Sequence, residues 1–471
     1  MPNKTNNSPL YNYLLAVVLI AFAALKFNDL FLPYFWDELG VYSQCAVYQY
    51  HHGISLMPAS LPDYISRGHP LFLTVMNASI MKFFGTAVYV PHSLHLFIAI
   101  LLLLAVYKYT TRYFNRLTGL VAVVILAAQP IFITQSIFLL PEVLLSLLMF
   151  YSLVSYFEKK YILFGLFASL AILTKESAVV LPVVVFSYSV LRWLVTRTGN
   201  DAFNPLNLLA TFMPYIFFGG FLLIQKAQMG WYFFPYHINN TGFNVEQTWE
   251  KFADFFHFAF HRQGRFWWNS IFFTGAILAL ARNQLTKETL RSNILVLFII
   301  FISGFLVFSS LSFFMERYVV VVIVFSSVIV AVAVVNVLQN KILIAICTAL
   351  LAITALSHFE SDKFNYDNDM SYRKEVQNLQ AIVDSCATLS KGEELVYGNF
   401  PAYFALNFRE GGYLKPDKPI KATMNLVDSV KYFITTSPGD NIRQDARFRD
   451  SLIVEIKTDY AESRIYYLHS K

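Results

Sequence analysis

Several short polar groups stand at the ends of apolar stretches in this chain, and their side chains are of the types that move protons and hold anions. Asp37 and Glu38 lie in Phe35-Trp36-Asp37-Glu38, just beyond the first apolar run. Glu142 follows Pro141 at the head of another run. Arg67 and His69 precede a short one, Lys175 and Glu176 separate two, and Glu316-Arg317-Tyr318 opens a late one. An ionised carboxylate beside an aqueous pocket can take the proton from an attacking hydroxyl or amine. The fork of donors on an arginine matches the oxygens of a phosphate. Plainer roles suit the same residues. Asp37 can cap a helix over 38–50, and Pro141-Glu142 is a good helix start. Lys175 and Glu176 can pair to hold their turn, and His69 can be structural.

The elements that must position these groups are membrane spans. Of 471 residues, 56% are hydrophobic and only 14% charged, where a soluble domain has roughly a quarter charged. Tyr34, Phe35 and Trp36 fit an aromatic belt at the membrane surface. The net charge of +6 is spread over loops without a cluster or stripe, so nucleic acid is not an expected partner. Cys45, Cys347 and Cys386 form no metal-ligand spacing and no disulfide framework. The first run lacks a small-x-small cleavage site and reads as an anchor.

Spans are expected at 11–27, 93–107, 117–134, 139–156, 161–173, 178–194, 208–224, 267–280, 294–311, 318–338 and 342–356. The segment 69–84 is short, starts at Gly68-His69-Pro70 and contains Asn77 and Lys82. If it lies at the interface without crossing, Lys4, Lys108/Arg112/Arg116, Lys159/Lys160, Arg192/Arg197, Arg282/Lys287/Arg291 and Lys341 all fall on the inner side. Lys251, Arg262 and Arg265 count against this arrangement and are outnumbered. The expected fold is therefore a polytopic α-helical membrane protein of about 11 transmembrane helices, with interfacial helices in the first outer loop. The N-terminus is inside and the C-terminus outside. Asp37, Glu38, Arg67, His69, Glu142, Lys175, Glu176, Glu316 and Arg317 then share the outer face, although none of them set the topology.

Two outer connections are long, 30–68 and 229–266, and long loops are often lids or binding surfaces. The second is aromatic and basic, with Arg262 and Arg265 near Trp267-Trp268. It suits interfacial anchoring or a basic lip for a lipid phosphate. The chain divides into a membrane domain, 1–357, and a polar C-terminal part, 358–471, expected to be a small extracytoplasmic α/β domain. Val376, Leu379, Ile382, Val383 and Cys386 form a helical apolar face. Strands are expected at 394–397, 430–436, 452–457 and 464–469, the last two as a hairpin.

Taken together, Trp36-Asp37-Glu38, His69-Pro70-Leu71-Phe72, Leu140-Pro141-Glu142, Leu173-Thr174-Lys175-Glu176-Ser177 and Arg317-Tyr318 resemble the motifs of the membrane glycosyltransferases that use polyprenyl-phosphate sugars. That family includes the protein O-mannosyltransferases and the lipid A aminoarabinose transferases. The resemblance runs in order over residues 10–340. It implies a C-type glycosyltransferase fold and a polyprenyl-phosphate-linked sugar as donor, with membrane lipid as surroundings. The acceptor, a protein, lipid or glycan, is left open. Asp37 would assist the nucleophile, supported by Glu38 and Glu142. Arg67, His69, Lys175, Arg317 and Tyr318 would contact the donor phosphate. A bacterial-type inner membrane is the implied location. Many relatives carry a lysine before, or a second proline after, the position of His69-Pro70, and an aspartate at that of Glu142; this chain has Gly68, Leu71 and Glu142. No cofactor is evident, and no convincing divalent-metal ligand set is visible. The rival expectation is a transporter or flippase of lipid-linked saccharides. Its passage would place charges near the membrane midplane, whereas here they stand at span ends.

Overall fold

The computed structural model describes residues 9–196, 204–235, 238, 245–281, 294–311, 314–360, 366–415, 420–425, 427, 429–436, 452–457 and 462–467. Helix α1 (Leu10–Lys26) leads into a loop that carries α2 (Ser43–His52) and α3 (Phe72–Phe84). The bundle continues with α4 (Tyr89–Tyr113), α5 (Arg116–Ala127), α6 (Pro130–Gln135), α7 (Pro141–Phe157), α8 (Tyr161–Thr174), α9 (Val180–Thr196) and α10 (Pro205–Met229). After α11 (Val245–Phe260) come α12 (Arg265–Ala281), α13 (Ile294–Ser310), α14 (Val319–Leu338) and α15 (Lys341–Leu356). Prolines at first-turn positions open α6, α7 and α10, where a missing N–H costs nothing. Asn115, Asn204 and Asn340 cap α5, α10 and α15 with their side-chain oxygens.

This is the fold of a multi-pass membrane protein. Among the described residues, five stretches are long and apolar enough to cross a membrane: 10–31, 89–113, 176–194, 205–229 and 316–338. Shorter apolar helices complete the bundle. Helix α14 is apolar on every side, and an all-round apolar helix belongs in the middle. Val319 to Val328 are accordingly buried throughout. Helix α1 lies at the rim, with Val17 and Ile20 facing outward.

Helix α3 has 13 residues; at about 1.5 Å per residue it reaches only about 20 Å, short of a hydrocarbon core of roughly 30 Å. Both of its ends stay at the end of the bundle that carries Asp37. Gly68 packs against Trp231, just after α10, and His92, just beyond Gly85, bonds the Leu30 carbonyl. At the far end Glu158 accepts from Tyr113 and pairs with Arg112 and Lys160. Arg112 and Lys160, two of the basic groups expected to share one side, thus meet there. Lys4, Arg197, Arg282, Lys287 and Arg291 lie outside the described residues.

The C-terminal part is a helix-backed sheet. Helix α16 (Tyr372–Ser390) buries Val376, Leu379, Ile382, Val383 and Cys386, the face expected from the sequence. Strands β1 (Leu395–Gly398), β2 (Lys421–Thr423), β3 (Val430–Thr436), β4 (Leu452–Lys457) and β5 (Glu462–Tyr467) take the order β2-β1-β3-β5-β4. The first three are parallel, and β5 runs antiparallel to both β3 and β4. The hairpin is present, with Glu455 opposite Arg464 and bonded to it at 2.8 Å; residues 458–461 and 468–471 lie outside the described residues. Strand β2 was not expected, because three residues carry no readable alternation. Helix α17 (Ala402–Asn407) follows β1.

This part sits on the Asp37 end of the bundle. Arg373 grips Asp29 with two bonds of 2.8 and 2.9 Å, and the buried Lys26 reaches both Asp29 (2.6 Å) and Tyr372 (3.1 Å). Tyr34 donates its backbone N–H to the Gly411 carbonyl at 3.0 Å. A Cβ at Gly40 would overlap the Phe400 ring, so the contact requires glycine. The three cysteines are free thiols; Cys45 packs with Leu61, Ile65 and Leu71, and Cys386 in the face of α16.

Candidate functional site

Arg317 is the centre of a charged cluster at the head of α14. Its side chain is 3% exposed. Nη2 bonds Asp37 Oδ2 at 2.6 Å, Nε bonds Glu142 Oε1 at 3.1 Å, and Nη1 bonds Asp367 Oδ2 at 2.9 Å. Lys175 donates to the same oxygen of Glu142 at 2.8 Å and lies 3.5 Å above the Tyr318 ring. Burying such charges costs several kcal/mol per ion unless partners surround them. Here every charge has an opposite one in contact, across five separate segments.

Each element delivers its residue for a local reason. Helix α7 starts at Pro141 and so places Glu142 in its first turn, where acidic groups are favoured. Helix α8 ends at Thr174; Lys175 leaves it with an extended backbone and turns inward. Arg317 and Tyr318 form a single tight turn before α14. Asp37 follows Trp36, whose φ of 51° is left-handed, a conformation that costs an ordinary side chain about 1–2 kcal/mol. The Trp36 ring is held by Tyr366 at 4.5 Å and Phe400 at 4.8 Å, both from the C-terminal part.

Asp37 is the open member: its side chain is 24% exposed, while those of Glu142 and Asp367 are 1% and 4% exposed. It can face a substrate while one oxygen holds Arg317. Burial pushes the Asp367 carboxyl above its ordinary range, although Arg317 beside it pulls the other way. The cluster can therefore offer a partly exposed carboxylate as proton acceptor next to fixed cations suited to a leaving phosphate.

Asp37, Glu142, Lys175, Arg317 and Tyr318 come together as the sequence suggested. Glu38 does not join them. It is fully buried, accepting from Leu139 N at 2.7 Å and Phe35 N at 3.3 Å and facing His92 Nε2 at 3.0 Å. Adjacent residues on a helical turn point in different directions, so Glu38 clamps the loop instead of facing the pocket. His69 turns to Glu176 at 3.0 Å and stacks on Tyr42. Arg67, with φ of 51°, forms the half-buried turn before it. Arg265 belongs to no lip: 1% exposed, it bonds the Ala259 and Phe258 carbonyls and the side chains of Gln129 and Gln263. Arg262 is exposed beside it.

Sequence reasoning missed Asp367. It lies in a polar segment, Tyr366-Asp367-Asn368-Asp369, shortly after the last span. The available signal was its proximity to a span end on the face that carries Asp37. Among the described residues, no three His, Cys, Asp or Glu side chains gather to hold a metal ion.

This architecture is that of the C-type membrane glycosyltransferases. Residues 68–216 match the family described as dolichyl-phosphate-mannose-protein mannosyltransferase. Among solved structures, ArnT from Cupriavidus metallidurans bound to undecaprenyl phosphate is similar at TM-score 0.57 and 14% identity, covering 97% of this chain and 98% of that one. Its apo state is similar at TM-score 0.57 and 13% identity, covering 95% and 97%. The apo oligosaccharyltransferase of Archaeoglobus fulgidus follows at TM-score 0.50 and 11% identity, covering 91% of this chain and 70% of that one. No curated protein sequence matches the chain.

Proposed function

We propose that this protein is a glycosyltransferase that moves a sugar from a polyprenyl-phosphate carrier to an acceptor at the outer face of a bacterial-type inner membrane. The observation that carries this is the joining of the partly exposed Asp37 to the buried Arg317 at 2.6 Å, with Lys175 in the same cluster. The matched family segment and the shared fold with ArnT support the donor class. In a single inverting displacement, the acceptor oxygen or nitrogen bonds the anomeric carbon as the bond to the carrier phosphate breaks. Asp37 takes the acceptor's proton, and the phosphate leaves as an anion toward Arg317 and Lys175. Glu142 holds both cations from behind. Arg67 and His69 precede α3, and His69 can meet a phosphate once it releases Glu176. Arg262 suits a headgroup contact at the membrane surface.

The charges stand at helix ends rather than at mid-bundle, which favours transfer over a passage for intact carrier. The test is sugar transfer by the purified protein in liposomes, from short-chain polyprenyl-phosphate sugars to a membrane-extract acceptor. Asp37→Asn should fold normally and abolish transfer. Transfer that survives the substitution would remove Asp37 from this role. Movement of intact carrier across the bilayer without transfer would establish the flippase instead.

A further inference from the structure

We propose that Asp367 is a positioning residue: carried in from the C-terminal domain, it holds the Arg317 guanidinium in the one orientation that serves both Asp37 and Glu142. This rests on the glycosyltransferase reading above. A guanidinium presents its donors in a rigid plane. Two carboxylates, on Nε and Nη2, leave Nη1 free, and the group can then swing into a two-bonded fork on either carboxylate alone. Asp367 Oδ2 on Nη1 closes that alternative, and all three sides of the plane are fixed.

Asp367 is itself held rigidly. Its carbonyl accepts from Gln135 Nε2 at 2.8 Å, and that of Asn368 from Gln263 Nε2 at 2.9 Å. Asn368 Nδ2 donates to Glu316 Oε2 at 2.6 Å, beside Arg317. Met370 places its sulfur 3.3 Å from Thr134 Oγ1. These anchors all belong to the membrane bundle, so the carboxylate is registered to the bundle and not to the sheet.

Docking alone does not require an acid here. The C-terminal part is already tied to α1 through Arg373–Asp29 and Lys26–Tyr372. A buried carboxylate is a costly way to dock a segment, and a neutral side chain would serve. The third carboxylate also changes the charge count. Asp37, Glu142 and Asp367 face the two cations Arg317 and Lys175.

The test uses the full-length protein in the transfer assay. Asp367→Asn keeps the shape and the backbone bond from Gln135. It should lower kcat by about tenfold or more, since small misplacements at a reacting centre cost that much, while donor KM stays within about threefold and the protein still folds. In an Arg317→Lys background the same substitution should cost no more than about a further twofold, because the two residues act as one unit. Unchanged kcat in Asp367→Asn, or losses that multiply in the double variant, would overturn the proposal while leaving the glycosyltransferase reading intact. If Asp367→Asn fails to fold, Asp367→Glu keeps the charge and displaces the oxygens. It should still lower kcat about tenfold, and a wild-type rate there overturns the proposal. A wild-type protein that transfers no sugar overturns both.

Discussion

Asp37 and Arg317 are separated by 280 residues and meet at 2.6 Å. The partly exposed acid and the buried base are joined across the bundle, and the head of the central helix is thereby pinned to the first loop.

Arg317 should be the most damaging single position in the membrane domain. Removing one partner of a buried ion cluster costs about 3–5 kcal/mol, and Arg317→Ala leaves three carboxylates with Lys175 as the remaining cation of the cluster. The variant should lose transfer and melt well below wild type. Arg317→Lys keeps the charge without the fork, and should fold with transfer reduced by about a hundredfold. A lysine variant with wild-type activity would show that only the charge matters.

Glu38 should separate stability from catalysis. Its carboxylate satisfies two backbone N–H groups and His92 in a fully buried site. Glu38→Ala should lower stability by about 1–3 kcal/mol, the cost of leaving buried donors unpaired. The fraction that remains folded should transfer sugar at close to the wild-type rate. A folded Glu38→Ala protein without activity would return Glu38 to the catalytic group.

Gly40 should report on the C-terminal part. Its missing Cβ is what lets Phe400 pack, and Phe400 in turn supports Trp36 beside Asp37. Gly40→Val should detach this contact at a cost of about 1–3 kcal/mol from overpacking. Limited proteolysis should then cut the chain faster in the C-terminal part, and transfer should fall with it.

Glu375 should make the C-terminal part sensitive to pH. It is 6% exposed, one of its oxygens has no partner, and burial raises its carboxyl from 4.5 to about 7. Between those values the folded chain holds a proton that the unfolded chain has released. Stability therefore falls as pH rises from about 4.5 to about 7, by about 3 kcal/mol in total. Glu375→Gln should remove that dependence, measured as melting temperature between pH 5 and pH 8. A variant that melts in parallel with wild type across this range would show that Glu375 is not the group responsible.

Much of the site was legible because membrane chemistry is restrictive. A charge at the end of an apolar run is conspicuous, so Asp37, Glu142, Lys175 and Arg317 stand out in the sequence alone. The distribution of basic residues argues that 69–84 does not cross, and the structure forms a helix of 13 residues over 72–84. The direction of each side chain was not legible. Asp37 and Glu38 are neighbours of the same chemical type, yet one faces the cluster and the other a backbone clamp. Arg265 resembled its exposed neighbour Arg262 and turned out to be buried.

Read alone, the amino-acid sequence shows a chain that crosses a membrane many times and marks the charged residues at the ends of its apolar runs. Those properties follow from hydropathy and charge, which are local. The tertiary structure alone decided that Arg317 gathers Asp37, Glu142 and Asp367, and that the last of these comes from beyond the final span. A guanidinium chooses its partners by distance and direction in three dimensions, and neither is written in the spacing along the chain.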